Sequence, residues 1–94
     1  MIRDYIKLKG TIHFIGELVH IPRKKFADLY KKVLTFETHD GQVLFPEIRN
    51  KKIHLLEDDD ITVGSTVEIT VSFQGSEKNG KRYNNIFIKT ISKI

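Results

Sequence analysis

The first stretch of the chain constrains its fold most strongly. From about Tyr5 to Ile21, Ile6, Leu8, Ile12, Phe14 and Leu18 alternate with Lys7, Lys9, Thr11, His13 and Glu17. One apolar and one polar face at a period of two is the signature of a half-buried β-strand. Gly10 and Gly16 fall on the apolar face, and a glycine inside a long strand marks a bulge or a sharp bend. A long first strand that bends can pair with both halves of a small closed sheet, which makes a barrel the natural architecture.

The rest of the chain continues the β pattern. Ile, Val, Thr, Tyr and Phe recur throughout, and Ala27 is the one alanine, a bias toward strands. His20 to Asp28 breaks the alternation with Pro22 and a basic run, and reads as a loop. A second strand follows over about Leu29 to Thr38. Leu34 and Phe36 share one parity and Leu29 and Val33 the other, so the pattern leaves its inward face open. Asp40-Gly41 between two apolar runs predicts a hairpin, and a third strand runs over about Gln42 to Ile48. Pro46 within it cannot donate to a ladder and belongs at an edge, a bulge or a strand end.

Asn50 to Asp60 changes rhythm. Ile53 and Leu56 stand three apart with Leu55 adjacent, which predicts a short helix. Acids oppose the dipole at a helix C-terminus, so it is expected to end before Asp58. Val67, Ile69, Val71 and Phe73 then alternate with Glu68, Thr70, Ser72 and Gln74 in the clearest strand of the chain. Gly75 to Lys81 is expected to be a polar loop around Asn79-Gly80. A fifth strand runs over about Arg82 to Ile91 with Ile86 and Ile88 facing in. Three strands, a helix and a hairpin in one domain over residues 1–94 match a five-stranded Greek-key barrel of the oligonucleotide/oligosaccharide-binding (OB) type, all-β with a short helix between strands three and four. An SH3-like barrel is the rival, but it calls for neither that helix nor so long a first strand.

Charge bears on function. The formal net charge is +4, yet Glu57-Asp58-Asp59-Asp60 alone contributes −4, so the remainder carries +8. The cations cluster at Arg23-Lys24-Lys25 with Lys31-Lys32, at Arg49 with Lys51-Lys52, and at Lys78 with Lys81-Arg82. Clusters of this kind either solvate loops and strand edges or meet a polyanion. With no cysteine, disulfides, thiolate metal sites and thiol nucleophiles are excluded. The four histidines lack the spacing of a metal site. No nucleophile stands with a base and an orienting group, and no Gly-rich phosphate loop is present. We therefore expect a non-enzymatic protein without a cofactor. Met1-Ile2-Arg3-Asp4 does not read as a signal peptide and no apolar run reaches spanning length. The expectation is a cytoplasmic protein with no membrane partner.

In an OB barrel the binding groove crosses strands two and three between the loops that join strands one–two and four–five. The three cationic clusters map onto that region. Arg23, Lys24, Lys25, Lys31, Lys32, Arg49, Lys52, Lys81 and Arg82 are the candidate phosphate contacts. Phe26, Tyr30, Phe45 and Tyr83 are the candidate base-stacking rings, with Tyr30 and Tyr83 favoured because basic residues adjoin them. Asn84-Asn85 either meets a base edge or ends a turn.

Several stretches also resemble a family of small bacterial OB domains of unknown function grouped with single-stranded-DNA-binding proteins. These are Gly10-Thr11-Ile12, Tyr30-Lys31-Lys32-Val33-Leu34, Lys52-Ile53-His54-Leu55-Leu56, Val63-Gly64-Ser65-Thr66-Val67, Phe73-Gln74-Gly75-Ser76-Glu77 and Gly80-Lys81-Arg82-Tyr83-Asn84-Asn85-Ile86. The resemblance implies the OB fold and, as a family-level expectation, single-strand binding. The chain departs from that pattern in having no tryptophan, so any stacking platform must use Phe and Tyr. The expected partner is single-stranded DNA, with RNA as the other option. A protein-interaction module, acting as an accessory subunit of a replication or phage-like assembly or as a homodimer, is the alternative. An oligosaccharide site fits less well, because sugars favour tryptophan and need little positive charge.

Overall fold

The computed structural model describes residues 5–94; the reading of Met1-Ile2-Arg3-Asp4 falls outside them. The chain forms β1 (Ile6–Ile15), β2 (Val19–Ile21), β3 (Leu29–Thr38), β4 (Val43–Leu44) and β5 (Glu47–Arg49). A 3-10 turn (Asn50–Ile53) runs into α1 (His54–Asp58), and β6 (Thr66–Lys78) and β7 (Lys81–Lys93) complete the chain. The expected first strand breaks at Gly16-Glu17-Leu18 into β1 and β2. The expected third breaks at Phe45-Pro46 into β4 and β5. Five passes of chain therefore build the sheet. β1 pairs with β6, β6 with β7, β7 with β5, β5 with β3, and β3 returns to β1. The circuit is closed, and the contact between β5 and β7 is parallel through Glu47 and Phe87. This is the OB barrel.

Gly10 is the residue at which closure happens. It pairs with Thr38 of β3 and with Val67 of β6, so two strands converge on one position. A Cβ there would lie 2.0 Å from the Glu37 carbonyl oxygen. Only glycine lets the backbones come this close. Two residues later the ladder is irregular: Ile12 faces Phe36 but Phe14 faces Thr35, leaving His13 as the extra residue of a β-bulge. The bulge inverts the parity beyond it. Ile15 packs against the core, whereas Phe14, expected inside, is 58% exposed. Leu18, also expected inside, lies past the break and is exposed.

The barrel interior is filled by Ile12, Leu34, Phe36, Ile48, Val67, Ile69 and Val71, all fully buried. Burying an aliphatic or aromatic side chain of this size stabilises by roughly 1.5–3 kcal/mol relative to exposure, and this layer dominates the stability of so small a domain. The turn and α1 close one end. Leu56 and Ile61 are buried there, and the Ile61 N–H donates to the Leu56 carbonyl at 2.8 Å, which folds the chain back toward β6. The helix ends at Asp58, one residue past the expected stop, and Asp59 and Asp60 lie beyond its last turn.

The β6–β7 hairpin is longer than expected. Asn79 and Gly80 have φ of 53° and 76°, the positive pair of a type I′ turn, whose twist matches antiparallel strands. Pairing therefore runs to Lys78 and Lys81, and Gly75 to Lys78 is strand, not loop. Phe73, at the end of the clean alternation, is 52% exposed because the hairpin leaves the barrel there. Ile86 is half-buried against the core and Ile88 is buried, as their alternation predicts.

Candidate nucleic-acid interface

The orientation of β3 decides how the cations are distributed. Leu34 and Phe36 face the core, and Lys32 pairs with the fully buried Ile48. Tyr30 and Lys32 therefore share the inward parity. Lys31 and Val33 face out, opposite Arg49 and Glu47. Leu29 is buried but lies outside the main core cluster, at the root of the loop after β2. The pair Lys31-Lys32, contiguous in sequence, is split between two surfaces.

The outer surface runs across β1, β3, β5 and β7. The bulge at His13 delivers Phe14 to it beside Thr35. The β4–β5 segment keeps alternating through its break: Pro46 and Ile48 are buried while Phe45 is 63% exposed and Glu47 and Arg49 face out. Glu47 meets Phe87 in the parallel pair. The Arg49 guanidinium lies over the Phe87 ring at 4.3 Å from its centroid, and the Lys89 ammonium lies 4.0 Å over Tyr5. Each is a cation–π contact. Tyr5, Glu47, Arg49, Phe87 and Lys89, together with Lys52 and Gln74, line a groove of about 490 Å³. Phe14 and Phe87 are separated by three strand spacings, on the order of 14 Å around the barrel.

Glu47 moderates this surface. Its carboxylate accepts from Arg49 Nε at 2.6 Å and lies 3.6 Å from Lys31 Nζ. Its side chain is 12% exposed, so the acid sits beneath the two cations while they reach solvent. It orders them and offsets part of their charge.

Above the groove the hairpin continues the outward face. Tyr83 and Lys81 have the parity of Phe87, and Tyr83 pairs with Ser76 and is exposed. Asn85 shares that parity and donates from its amide to Ser76 Oγ at 3.2 Å. Arg82 points the other way, paired with Glu77 at 3.3 Å; both are highly exposed, and such a pair contributes little.

The loop between β2 and β3 carries Arg23, Lys24 and Lys25. Arg23 donates from Nε to the Ala27 carbonyl at 2.8 Å and its guanidinium stands 5.5 Å over Phe26. Asp28 accepts from the Arg23 backbone N–H at 3.3 Å and bonds His20 Nε2 at 2.8 Å. The His20 hydrogen bond, aided by the Arg23 N–H, holds the Asp28 carboxyl below the usual carboxylate range. His20 in turn stacks on Tyr30, with centroids 4.6 Å apart and rings 5° from parallel. One face of Tyr30, the favoured stacking ring, is thus already covered by an imidazole.

Of the residues singled out from sequence, Lys31, Arg49, Lys52, Lys81, Tyr83 and Phe45 share the outward face or its groove. Arg23, Lys24, Lys25 and Phe26 stand on the exposed loop. Tyr30 and Lys32 lie on the opposite side of β3, and Arg82 turns away. Sequence reasoning missed Phe87, Tyr5, Lys89, Glu47 and Phe14. Phe87 was legible, since a ring between inward Ile86 and Ile88 must point out. Phe14 was not, because a bulge has to be seen before parity can be inverted.

No protein-family model matches the chain, and no curated protein matches it. Solved structures do. The mitochondrial single-stranded DNA binding protein Rim1 of S. cerevisiae superposes with a TM-score of 0.66 at 12% identity, covering 98% of this chain and 96% of that one. The second OB-fold domain of replication protein A from Methanococcus maripaludis gives 0.62 at 17% identity, over 94% and 81%. The dimeric N-terminal domain of PriB from Thermoanaerobacter tencongensis gives 0.53 at 17% identity, over 96% and 94%. At these identities the likeness is one of fold.

Proposed function

We propose that the protein binds single-stranded nucleic acid, DNA first, without catalysing a reaction, through the outer face of β1, β3, β5 and β7. One observation carries this reading: solvent-facing cations lie over aromatic rings on a concave barrel face, Arg49 on Phe87 and Lys89 on Tyr5. A single strand offers phosphates for the cations and flat unpaired bases for the rings and the guanidinium plane. Each stacked base is worth about 1–3 kcal/mol. Lys31, Arg49, Lys52 and Lys89 neutralise phosphates, Phe14, Phe45 and Phe87 stack, and the hairpin with Lys81 and Tyr83 and the loop with Arg23, Lys24 and Lys25 guide the ends. A duplex hides its base faces and loses the stacking contribution. Two of the structural neighbours are named as single-stranded DNA binding or replication proteins, which supports the reading at the level of fold.

The test is fluorescence anisotropy with labelled single-stranded DNA, single-stranded RNA and duplex at two salt concentrations. Neutralising four phosphates gives a log–log salt slope of about −3, at roughly 0.7 per contact for single strands. Absence of binding to either single strand at low salt refutes the reading.

A second reading has its own observation. β2 pairs only with β3 among the described residues, and Val19 and Ile21 on its outward side are exposed. A free edge with apolar side chains can add a strand from a second copy or a partner protein. Sedimentation of the free protein, with Val19→Lys as the interface variant, decides it: a dimer that the variant dissolves supports the edge contact.

A further inference from the structure

A second concave surface lies on the other side of β3, away from the outer groove. Tyr30 and Lys32 point into it, with Leu18, Lys51, Ile53 and His54 completing a hollow of about 490 Å³. Its floor is apolar and its rim is cationic. Among the described residues, no carboxylate lies within 4.0 Å of Lys32 or Lys51, in contrast to Lys31 and Arg49, which share Glu47. Glu57 is the acid on the rim, and it is 79% exposed and 3.8 Å from His54. The ring stack of His20 on Tyr30 stands at this side of the strand. The His20 side chain is 47% exposed.

The two hollows are joined. Asn50 and Lys51 line both of them. Asn50 is a fixed point: it has φ of 52°, and its side-chain oxygen accepts the Tyr30 backbone N–H at 3.1 Å. A cation, Lys51, therefore sits on a rigid saddle between an aromatic-cationic groove and a second surface of the same chemistry.

We propose that this hollow is a second subsite for the same single strand. The strand leaves the outer groove, crosses the Asn50-Lys51 saddle with a phosphate at Lys51, and lays a further base beside the His20–Tyr30 stack with its phosphate at Lys32. The inference rests on the single-strand reading and deepens it by fixing the route and the length of strand engaged. OB domains occupy roughly 4–16 nucleotides. A strand confined to the outer groove needs the short end of that range, and one that crosses the saddle needs the long end.

The test compares oligothymidylates of about five and about twelve nucleotides, lengths in the lower and upper parts of the OB range, in anisotropy titrations at low salt with stoichiometry measured in parallel. The variant is Leu18→Glu with His54→Glu. Both side chains are exposed, both line only the second hollow, and two added acids repel a strand there. The expected result is a one-to-one complex whose long-oligomer affinity falls by about tenfold in the variant, through lost phosphate and stacking contacts, while the short oligomer binds as before. In the unaltered protein, the His20 ring signals shift in NMR with the long oligomer and not with the short one, a readout that needs no variant. Equal losses at both lengths, or no loss at either, overturn the second subsite and leave the outer groove standing. If neither length binds the unaltered protein, the single-strand reading itself fails.

Discussion

Gly10→Ala should be the most damaging small substitution in the barrel. The added Cβ meets the Glu37 carbonyl oxygen at 2.0 Å, the Glu37 carbonyl carbon at 2.8 Å and Phe36 Cζ at 2.8 Å. The first two are backbone atoms of β3, so no rotamer change relieves them. β1 must move away from β3 where it is also pinned to β6 through Val67. Overpacking of this kind costs about 1–3 kcal/mol and at times more, and a backbone collision belongs at the upper end. Alanine returns about 0.4–1 kcal/mol by restricting the unfolded chain. The net loss is about 2 kcal/mol, which for a domain of this size lowers Tm by roughly 8–16 °C. Gly75→Ala is the matched control. Its Cβ would find nothing closer than the Tyr83 carbonyl at 3.9 Å, and its Tm should stay within a few degrees. Thermal melts followed by circular dichroism measure both. A Gly10→Ala protein that melts with the parent would refute the idea that closure depends on a bare backbone at this crossing.

Other outcomes follow from the outer face and the loop. Phe87→Ala should weaken single-strand binding by about 1–3 kcal/mol in anisotropy titrations, with the melting curve little changed because the ring lies outside the core cluster. Glu47→Gln removes the acid from between Lys31 and Arg49 and should tighten binding and steepen the salt slope by about 0.7, one extra phosphate contact. An unchanged slope would mean that the two cations do not meet the strand. Asp28 has a depressed carboxyl pKa, so the loop clamp is fully present above the ordinary carboxylate range and is lost as pH falls through the lowered value. In His20→Gln the Asp28 carboxyl should titrate higher, toward the ordinary carboxylate range, as read by NMR; an unmoved titration would show that His20 is not the cause.

Much of the barrel could be read from side-chain periodicity. β3 spans Leu29–Thr38 as its composition implies, and Asn79-Gly80 marks the turn because only residues tolerant of positive φ fit there. What periodicity cannot show is an interruption of itself. The extra residue at His13 reversed the side of Phe14 and, with it, one ring of the candidate site. The hairpin beyond Gly75 looked like loop because its side chains are polar, yet a β-ribbon projecting into water needs no apolar face when its turn and backbone ladder hold it. Glu47 was invisible for a different reason. A lone acid in a basic surface looks like dilution until the ion pairs to Lys31 and Arg49 are seen. Tyr30 was identified as an aromatic beside cations, but its stacking partner His20 lies ten residues away across the β2–β3 pairing.

The split of Lys31 from Lys32 has a consequence for how such a surface changes over time. Point substitution alters one face of β3 at one position. A single inserted residue between Lys32 and Val33, absorbed as a bulge, would leave Leu34 and Phe36 in the core while exchanging Leu29 and Lys31 with Tyr30 and Lys32 across the wall. The bulge at His13 has the same geometric effect in β1. In a barrel this small, insertion and deletion are therefore the coarse adjustment of the binding surface, and substitution is the fine one.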